Sequence, residues 1–302
     1  MRKYSGLLLI LCVFVLSSRP VFAETIPAGF KGNLVEINGQ QLRVYQTGSG
    51  PDILLIHGLP GCIEDWETII PELSKKYRVT AYDRPGHGFS SANKLKYNVG
   101  QNVDIAFALI DELKLNNPVV VGHSYGGTMV VAMAERNPAN VKALVAVSPA
   151  TIARGKPDTI FYILETPVVG VLALKAVKLF TGCRMIEDGV NKAFSPNINA
   201  VPPDYVQTRC MIFTQSKAAR TMSMEEMTIR LDVKNMSPSY SKIKKPLFIV
   251  HGESDVEVPV WDGIFLKNEV AGSSLTVLKN TGHMVQYAKP AELIQVIEEA
   301  AR

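Results

Sequence analysis

The stretch Val119-Val120-Val121-Gly122-His123-Ser124-Tyr125-Gly126-Gly127-Thr128 decides how this chain is read. Three branched apolar residues make a short strand with no polar face, as expected of a strand buried on both sides. Residues 128–136 continue as an apolar helix. Between them Gly122-His123-Ser124-Tyr125-Gly126 is a G-x-S-x-G. Alone the pattern is weak: with Gly and Ser each at roughly 7% of residues, about one chain in ten of this length carries it by chance. Its place gives it a physical reason. A serine on a sharp strand-to-helix turn sits in a strained backbone, and small neighbours let the turn close. Its hydroxyl then projects above the sheet edge, beside the positive end of a helix that favours developing negative charge.

Outward from this stretch the sequence alternates strand and helix patterns. Residues 34–37 and 41–46 flank Asn38-Gly39, a strong hairpin signal. Solid apolar runs at 53–56, 78–82, 143–147, 247–250 and 275–278 predict further buried strands. Val99, Val103, Ala106, Ile110 and Leu113 fall on one face of a helix, and residues 291–300 form another. A hairpin followed by strand-helix units predicts an α/β fold, a mostly parallel sheet with helices on both faces. The alternation fails between about 148 and 245, where Pro157, Pro167, Pro196, Pro202, Pro203 and Pro238 separate helix-like pieces. We read 148–243 as a helical cap set on the sheet. Phe161, Tyr162, Leu164, Phe180, Phe194 and Phe213 could give it an apolar underside.

A serine hydroxyl is a poor nucleophile until a base takes its proton. Each of the five histidines, His57, His87, His123, His251 and His283, neighbours a glycine, so local sequence does not select the base. Chain order does: on a strand–turn–helix serine the acid and then the histidine follow. His251 ends a buried strand and is expected to be committed to packing. His283, in Asn280-Thr281-Gly282-His283, lies on a loop before the final helix and is the candidate base. Gly252-Glu253-Ser254-Asp255 follows the strand ending near His251. Asp255 is the candidate acid, with Glu253 and Glu257 as rivals. His57, His87 and His123 are expected to hold turns by hydrogen bonds, and Cys62 to be a small buried residue.

With these residues in view, the chain resembles the α/β-hydrolase superfamily, in its cap-bearing serine esterase and lipase-like branch. His57-Gly58-Leu59-Pro60-Gly61 resembles that family's oxyanion loop. Asp83-Arg84-Pro85-Gly86-His87-Gly88-Phe89-Ser90 resembles its turn after the next strand. His251-Gly252-Glu253-Ser254-Asp255-Val256-Glu257-Val258-Pro259 and Gly282-His283 resemble its acid and histidine loops. The resemblance covers about residues 30–147 and 245–302. It implies an eight-stranded sheet, a core formed by 24–147 and 244–302, and a Ser124–Asp255–His283 triad. It also implies an oxyanion hole from the backbone N–H groups of Leu59 and Tyr125. Relatives that open epoxides or cleave carbon–halogen bonds use aspartate as nucleophile, so Ser124 implies acyl transfer. The expected function is hydrolysis of carboxylic esters in an apolar capped pocket, with no cofactor and no metal. A carbon–carbon bond or lactone hydrolase of the same fold is the alternative. A ligand-binding or signalling protein that keeps a slow triad is the alternative of another class.

The remaining features bound the setting. The 302 residues are 47% apolar and 20% charged, enough for a sizeable core. Residues 1–23 combine Arg2 and Lys3, an apolar run at 6–16, and Val21-Phe22-Ala23, the pattern of a cleaved signal peptide. The run is short for a bilayer span, which needs about 20 residues. We therefore expect an exported protein, periplasmic or secreted, with no stable membrane span after cleavage. Loss of Arg2, Lys3 and Arg19 leaves 29 basic against 28 acidic residues. A nearly neutral chain predicts a small-molecule partner and no nucleic acid. Of the cysteines remaining after cleavage, Cys183 and Cys210 share the middle segment and are the expected disulfide pair.

Overall fold

A computed structural model of the chain describes residues 25–92, 97–155, 157, 159–166, 170, 183–213 and 215–302. The expected signal peptide, and Phe180 of the insertion, lie outside these residues. Eight strands form one sheet in the order β1-β2-β4-β3-β5-β6-β7-β8. They are β1 (Asn33–Ile37), β2 (Gln40–Thr47), β3 (Asp52–Ile56), β4 (Arg78–Tyr82), β5 (Val119–His123), β6 (Ala143–Val147), β7 (Leu247–Gly252) and β8 (Ser274–Leu278). The hairpin β1–β2 turns at Asn38-Gly39 and its second strand joins β4 antiparallel; every later pairing is parallel. The fold is the mostly parallel, eight-stranded α/β-hydrolase sheet that the resemblance implies.

Both faces of the sheet are covered, which is why β3, β5 and β6 are buried at every residue. On one face α2 (Val99–Glu112) and α3 (Tyr125–Glu135) bury Val103, Leu109, Val130 and Met133 against Leu54, Ile56, Val120 and Leu144. On the other, the short α1 (Ile70–Leu73) and the C-terminal helix bury Ile70, Leu73, Leu293 and Ile297 against Ile53, Leu55, Val121 and Val145. Alternate residues of one strand thus feed two separate cores. Helix α2 starts where the sequence turns amphipathic, at Asn98, whose side chain caps Gln101 N–H while the Gln101 side chain returns to Asn98 N–H.

The helical insertion between β6 and β7 contributes α4 (Thr159–Glu165), α5 (Arg184–Phe194), α6 (Tyr205–Phe213) and α7 (Ser216–Met236). Past β7 follow α8 (Trp261–Glu269), α9 (Val285–Ala288) and α10 (Pro290–Ala300). Cys183, at the start of α5, is bonded to Cys210 of α6, as expected, and Cys62 is a buried free thiol packed with Phe89 and Ile212. Two buried ion pairs tie the insertion to the sheet: Arg209 of α6 with Asp65, and Glu225 of α7 with Arg84. Each charge there has lost its water, so each needs its partner.

Candidate active site

Ser124 stands between β5 and α3 with φ 55° and ψ −117°. For a residue with a Cβ this conformation costs of order 1–3 kcal/mol, and it persists because the surroundings hold it. Ser124 N–H donates to the Val147 carbonyl of β6 (2.8 Å), and Thr128 N–H closes the first helical turn on the Ser124 carbonyl (2.9 Å). Gly126 explains the small neighbour: a Cβ there would stand 2.3 Å from the Ile56 carbonyl oxygen. The turn can close against β3 only without a side chain.

The structure brings Asp255 and His283 together from two loops at the same sheet edge. The loops are zipped by Glu253 N–H to the Leu278 carbonyl and Ser254 N–H to the Thr281 carbonyl, both 2.9 Å. His283 Nδ1 donates to Asp255 Oδ2 at 2.7 Å. Asp255 Oδ1 accepts the N–H groups of Glu257 and Val258, each at 2.9 Å. Burial alone would raise this carboxyl; the His283 charge and the donors around it hold it well below the usual carboxylate range. The two rival acids lie in other settings. Glu253 is exposed, and Glu257 pairs with Lys192 of α5 at 3.1 Å. His251 is buried, its Nε2 donating to the Val258 carbonyl (2.8 Å) and standing 3.5 Å from Asp255 Oδ2. It therefore steadies the loop that carries Asp255 as well as packing.

The other three histidines are structural, each at an informative place. His123 Nε2 donates to the His283 carbonyl (2.9 Å), so the residue before Ser124 holds the backbone of the imidazole. His57 Nε2 accepts from Arg84 N–H (2.8 Å), which leaves its proton on Nδ1 to donate to the Gly58 carbonyl (2.9 Å). His87 Nε2 donates to Glu225 Oε2 (2.9 Å).

Leu59 and Tyr125 flank Ser124. Tyr125 is the first residue of α3, so its N–H has no acceptor within the helix. Gly58 lies against the serine: a methyl placed on it would stand 3.0 Å from Ser124 Cβ. Its carbonyl accepts from His57 Nδ1 and Arg84 Nη2, and the Leu59 N–H of the same planar peptide points the opposite way. Ser124, His283, Gly58, Leu59 and Tyr125 all open onto one cavity of about 580 Å³. The insertion supplies its roof through Ile186, Val190, Phe194, Met222 and Ile229. Of the roof aromatics expected from sequence, Phe194 and Phe213 line the cavity, whereas Tyr162 is exposed. A mostly apolar cleft of this size suits a small organic ligand. Among the described residues, no cluster of three or more His, Cys, Asp or Glu side chains could hold a metal ion.

Sequence reasoning did not single out Glu225, Asn102, Asp65 or Arg209. Glu225 is one acid in a long, mostly polar helix, and nothing in its neighbours tells it from Glu226. Its burial is set by tertiary packing alone.

The buried histidines predict an acid-sensitive fold. Burial first, with Arg84 and His87 nearby, lowers His57 well below its ordinary value. Burial and Arg84 lower His87, and burial and His283 bring His123 down to about 3. Unfolded histidines take up protons below about pH 6.5, whereas these three do so only at lower pH. The stability they confer is thus complete above that pH and is lost as pH falls toward the folded values, by up to about 1.4 kcal/mol per pH unit for each. Burial pushes Asp83 up to about 6 and Glu135 up to about 7, which acts in the opposite sense in the same window. Burial raises Asp65 and Asp232 as well, but carboxyls start from an ordinary value about two units below this window, whereas unfolded imidazoles titrate inside it, so the imidazoles lead. Urea midpoints should fall from pH 7 to pH 5.5, and fall less in His87→Gln; a midpoint that rises on acidification would contradict this.

Comparison with known proteins agrees with this fold. A family model described as the alpha/beta hydrolase fold matches residues 51–177. The chain is 25% identical over 291 residues to a 2-hydroxymuconate semialdehyde hydrolase of Pseudomonas sp. (strain CF600), covering 93% of this chain and 94% of that protein. It is 24% identical over 264 residues to a pimeloyl-[acyl-carrier protein] methyl ester esterase of Nitrosospira multiformis, covering 86% and 98%. Among solved structures, the enol-lactonase from Burkholderia xenovorans LB400 superposes with a TM-score of 0.70 at 21% identity, covering 89% of this chain and 99% of that one.

Proposed function

We propose that this chain, which carries the alpha/beta hydrolase fold, is a serine hydrolase of that superfamily, cleaving carboxylic esters through an acyl-serine intermediate. One observation carries the reading. A hydroxyl on a strained strand-to-helix turn and an imidazole whose Nδ1 is committed to a buried carboxylate open onto the same apolar cavity. With Nδ1 committed, Nε2 is the nitrogen available as base. Ser124 Oγ attacks the ester carbonyl as His283 Nε2 takes its proton. The oxyanion forms against the N–H groups of Leu59 and Tyr125. His283 returns the proton to the departing alcohol, leaving an acyl-serine. Water, losing its proton to His283, then attacks that ester, and collapse releases the acid and restores Ser124. Asp255 keeps its charge throughout and stabilises the imidazolium. The methyl ester esterase among the relatives supports an ester substrate.

The similarity to the semialdehyde hydrolase spans nearly the whole chain, and this favours one second reading: hydrolysis of a carbon–carbon bond at the same serine. A panel of p-nitrophenyl esters of increasing acyl length, lactones and vinylogous diketones separates the two. We expect turnover of esters, best with apolar acyl groups that fill the cavity. Turnover of the diketones alone would overturn the ester reading. Tight ligand binding with no turnover of any member would overturn the enzyme.

We also propose that the protein is exported. Residues 1–23 have the composition of a signal peptide, and the Cys183–Cys210 bond suits an oxidising compartment. Among the described residues no helix is long and apolar enough to cross a membrane. Comparing the N-terminus of the mature protein with the encoded one tests the export.

A further inference from the structure

Glu225 belongs to the insertion, yet its carboxylate lies at the centre of the sheet's buried polar network. Both of its oxygens engage the Arg84 guanidinium: Oε2 accepts from Nη2 at 2.9 Å, and Oε1 pairs with Nη1. Asn102 Nδ2 of α2 donates to Oε1 at 2.8 Å, and His87 Nε2 donates to Oε2 at 2.9 Å. Glu225, Arg84 and Asn102 are wholly buried, and His87 is 1% exposed. Burial would raise the Glu225 carboxyl, but Arg84 and His87 hold it down to about 2, so it stays charged. A carboxylate held by four donors from α2 and the turn after β4 has one geometry open to it.

Arg84 makes two further contacts, one to each side of the oxyanion pair. Its Nη2 donates to the Gly58 carbonyl at 2.9 Å, and its guanidinium lies over the Tyr125 ring at 4.4 Å from the centroid. The Tyr125 hydroxyl in turn accepts from Asn102 Nδ2 at 3.3 Å. The Gly58 carbonyl and the Leu59 N–H share one planar peptide and point in opposite directions. Whatever holds that carbonyl also aims that N–H. We propose that Glu225 is a positioning residue: by fixing Arg84 it sets the Gly58–Leu59 peptide, so that correct seating of the insertion and a formed oxyanion hole are one event. The role rests on the acyl-serine reading. Glu225 itself touches no reacting atom. Its effect passes through Arg84, whose guanidinium, without its counter-charge, is held at the Gly58 carbonyl only by that bond and the Tyr125 ring.

Glu225→Gln keeps the shape and one acceptor oxygen but removes the charge. Oxyanion donors act on the transition state, and removing one outright costs about 100- to 1,000-fold in kcat. A misaimed donor costs less, so kcat per active site should fall about 10- to 100-fold, with KM for a p-nitrophenyl ester within about threefold of the parent. Active sites are counted by burst titration with a fluorophosphonate. An alkyl boronic acid, which forms the tetrahedral adduct, should bind more weakly by the same factor as kcat falls. The free product acid should bind unchanged. Arg84→Met/Glu225→Gln removes both charges together and provides the second arm. It relieves the unpaired arginine, so folding recovers, but leaves the Gly58 carbonyl without its second donor, so kcat stays low. A Glu225→Gln protein with fewer titratable sites but parental kcat per site would make Glu225 merely structural and overturn the proposal. So would parental kcat in the double variant. Failure of the underlying reading looks different: the parent itself would then take up no probe.

Discussion

Ser124→Ala should lose all labelling by a fluorophosphonate and at least about 10⁴-fold in kcat/KM toward esters, with its fold intact. The argument is local. Alanine keeps the Cβ, so the φ of 55° and the N–H to Val147 bond survive unchanged. Only the oxygen goes, and with it the single nucleophile on the turn. What activity remains comes from the oxyanion donors and from binding, which still favour attack by water. Circular dichroism and urea midpoints near the parent's would show that the loss is chemical. Labelling at the parental rate would mean that another side chain reacts and would sink the nucleophile assignment.

Asp255→Asn should cost nearly as much, about 10⁴-fold in kcat, for a reason visible in the hydrogen bonds. Oδ1 accepts two backbone N–H groups, from Glu257 and Val258. In the asparagine variant the amide oxygen must stay there, since an NH₂ group would face two donors. The NH₂ is then turned toward His283 Nδ1, which can only accept from it. That forces the imidazole proton onto Nε2, the nitrogen that must receive the serine proton. The shape survives and the tautomer is wrong. Glu253→Gln, on an exposed side chain of the same loop, should leave kcat within twofold. If Asp255→Asn also did so, the acid would have to lie elsewhere.

Much of this arrangement is legible in the chain because its signals are local. Strands buried on both faces read as short apolar runs, and the residues at 78–82 and 143–147 occupy β4 and β6. The Asn38-Gly39 turn sets the one hairpin, and the small residues around Ser124 announce a turn that must close tightly. Asp255 and His283 are legible for a second reason: in a parallel sheet the loops after successive strands lie at one edge, so chain order predicts proximity. The same logic fails in the insertion. Its helices are placed by side-chain packing across long sequence separations, and Glu225 meets Arg84 across 141 positions of chain. A carboxylate bound for full burial looks, in sequence, like any acid on a solvated helix. His251 shows the intermediate case. It is expected to pack and it does, but its approach to Asp255 depends on the path of the loop between them.

The sulfur–sulfur bond lies wholly inside the insertion, joining the start of α5 to α6. Neither layer of the sandwich depends on it, so a chain made where thiols stay reduced should still build its floor. What changes is the ceiling. Two of the helices that close the chamber are cross-linked in one setting and held by packing alone in the other. Selectivity for guest size, more than the rate of bond cleavage, is therefore the property of this molecule most exposed to the redox state of its surroundings.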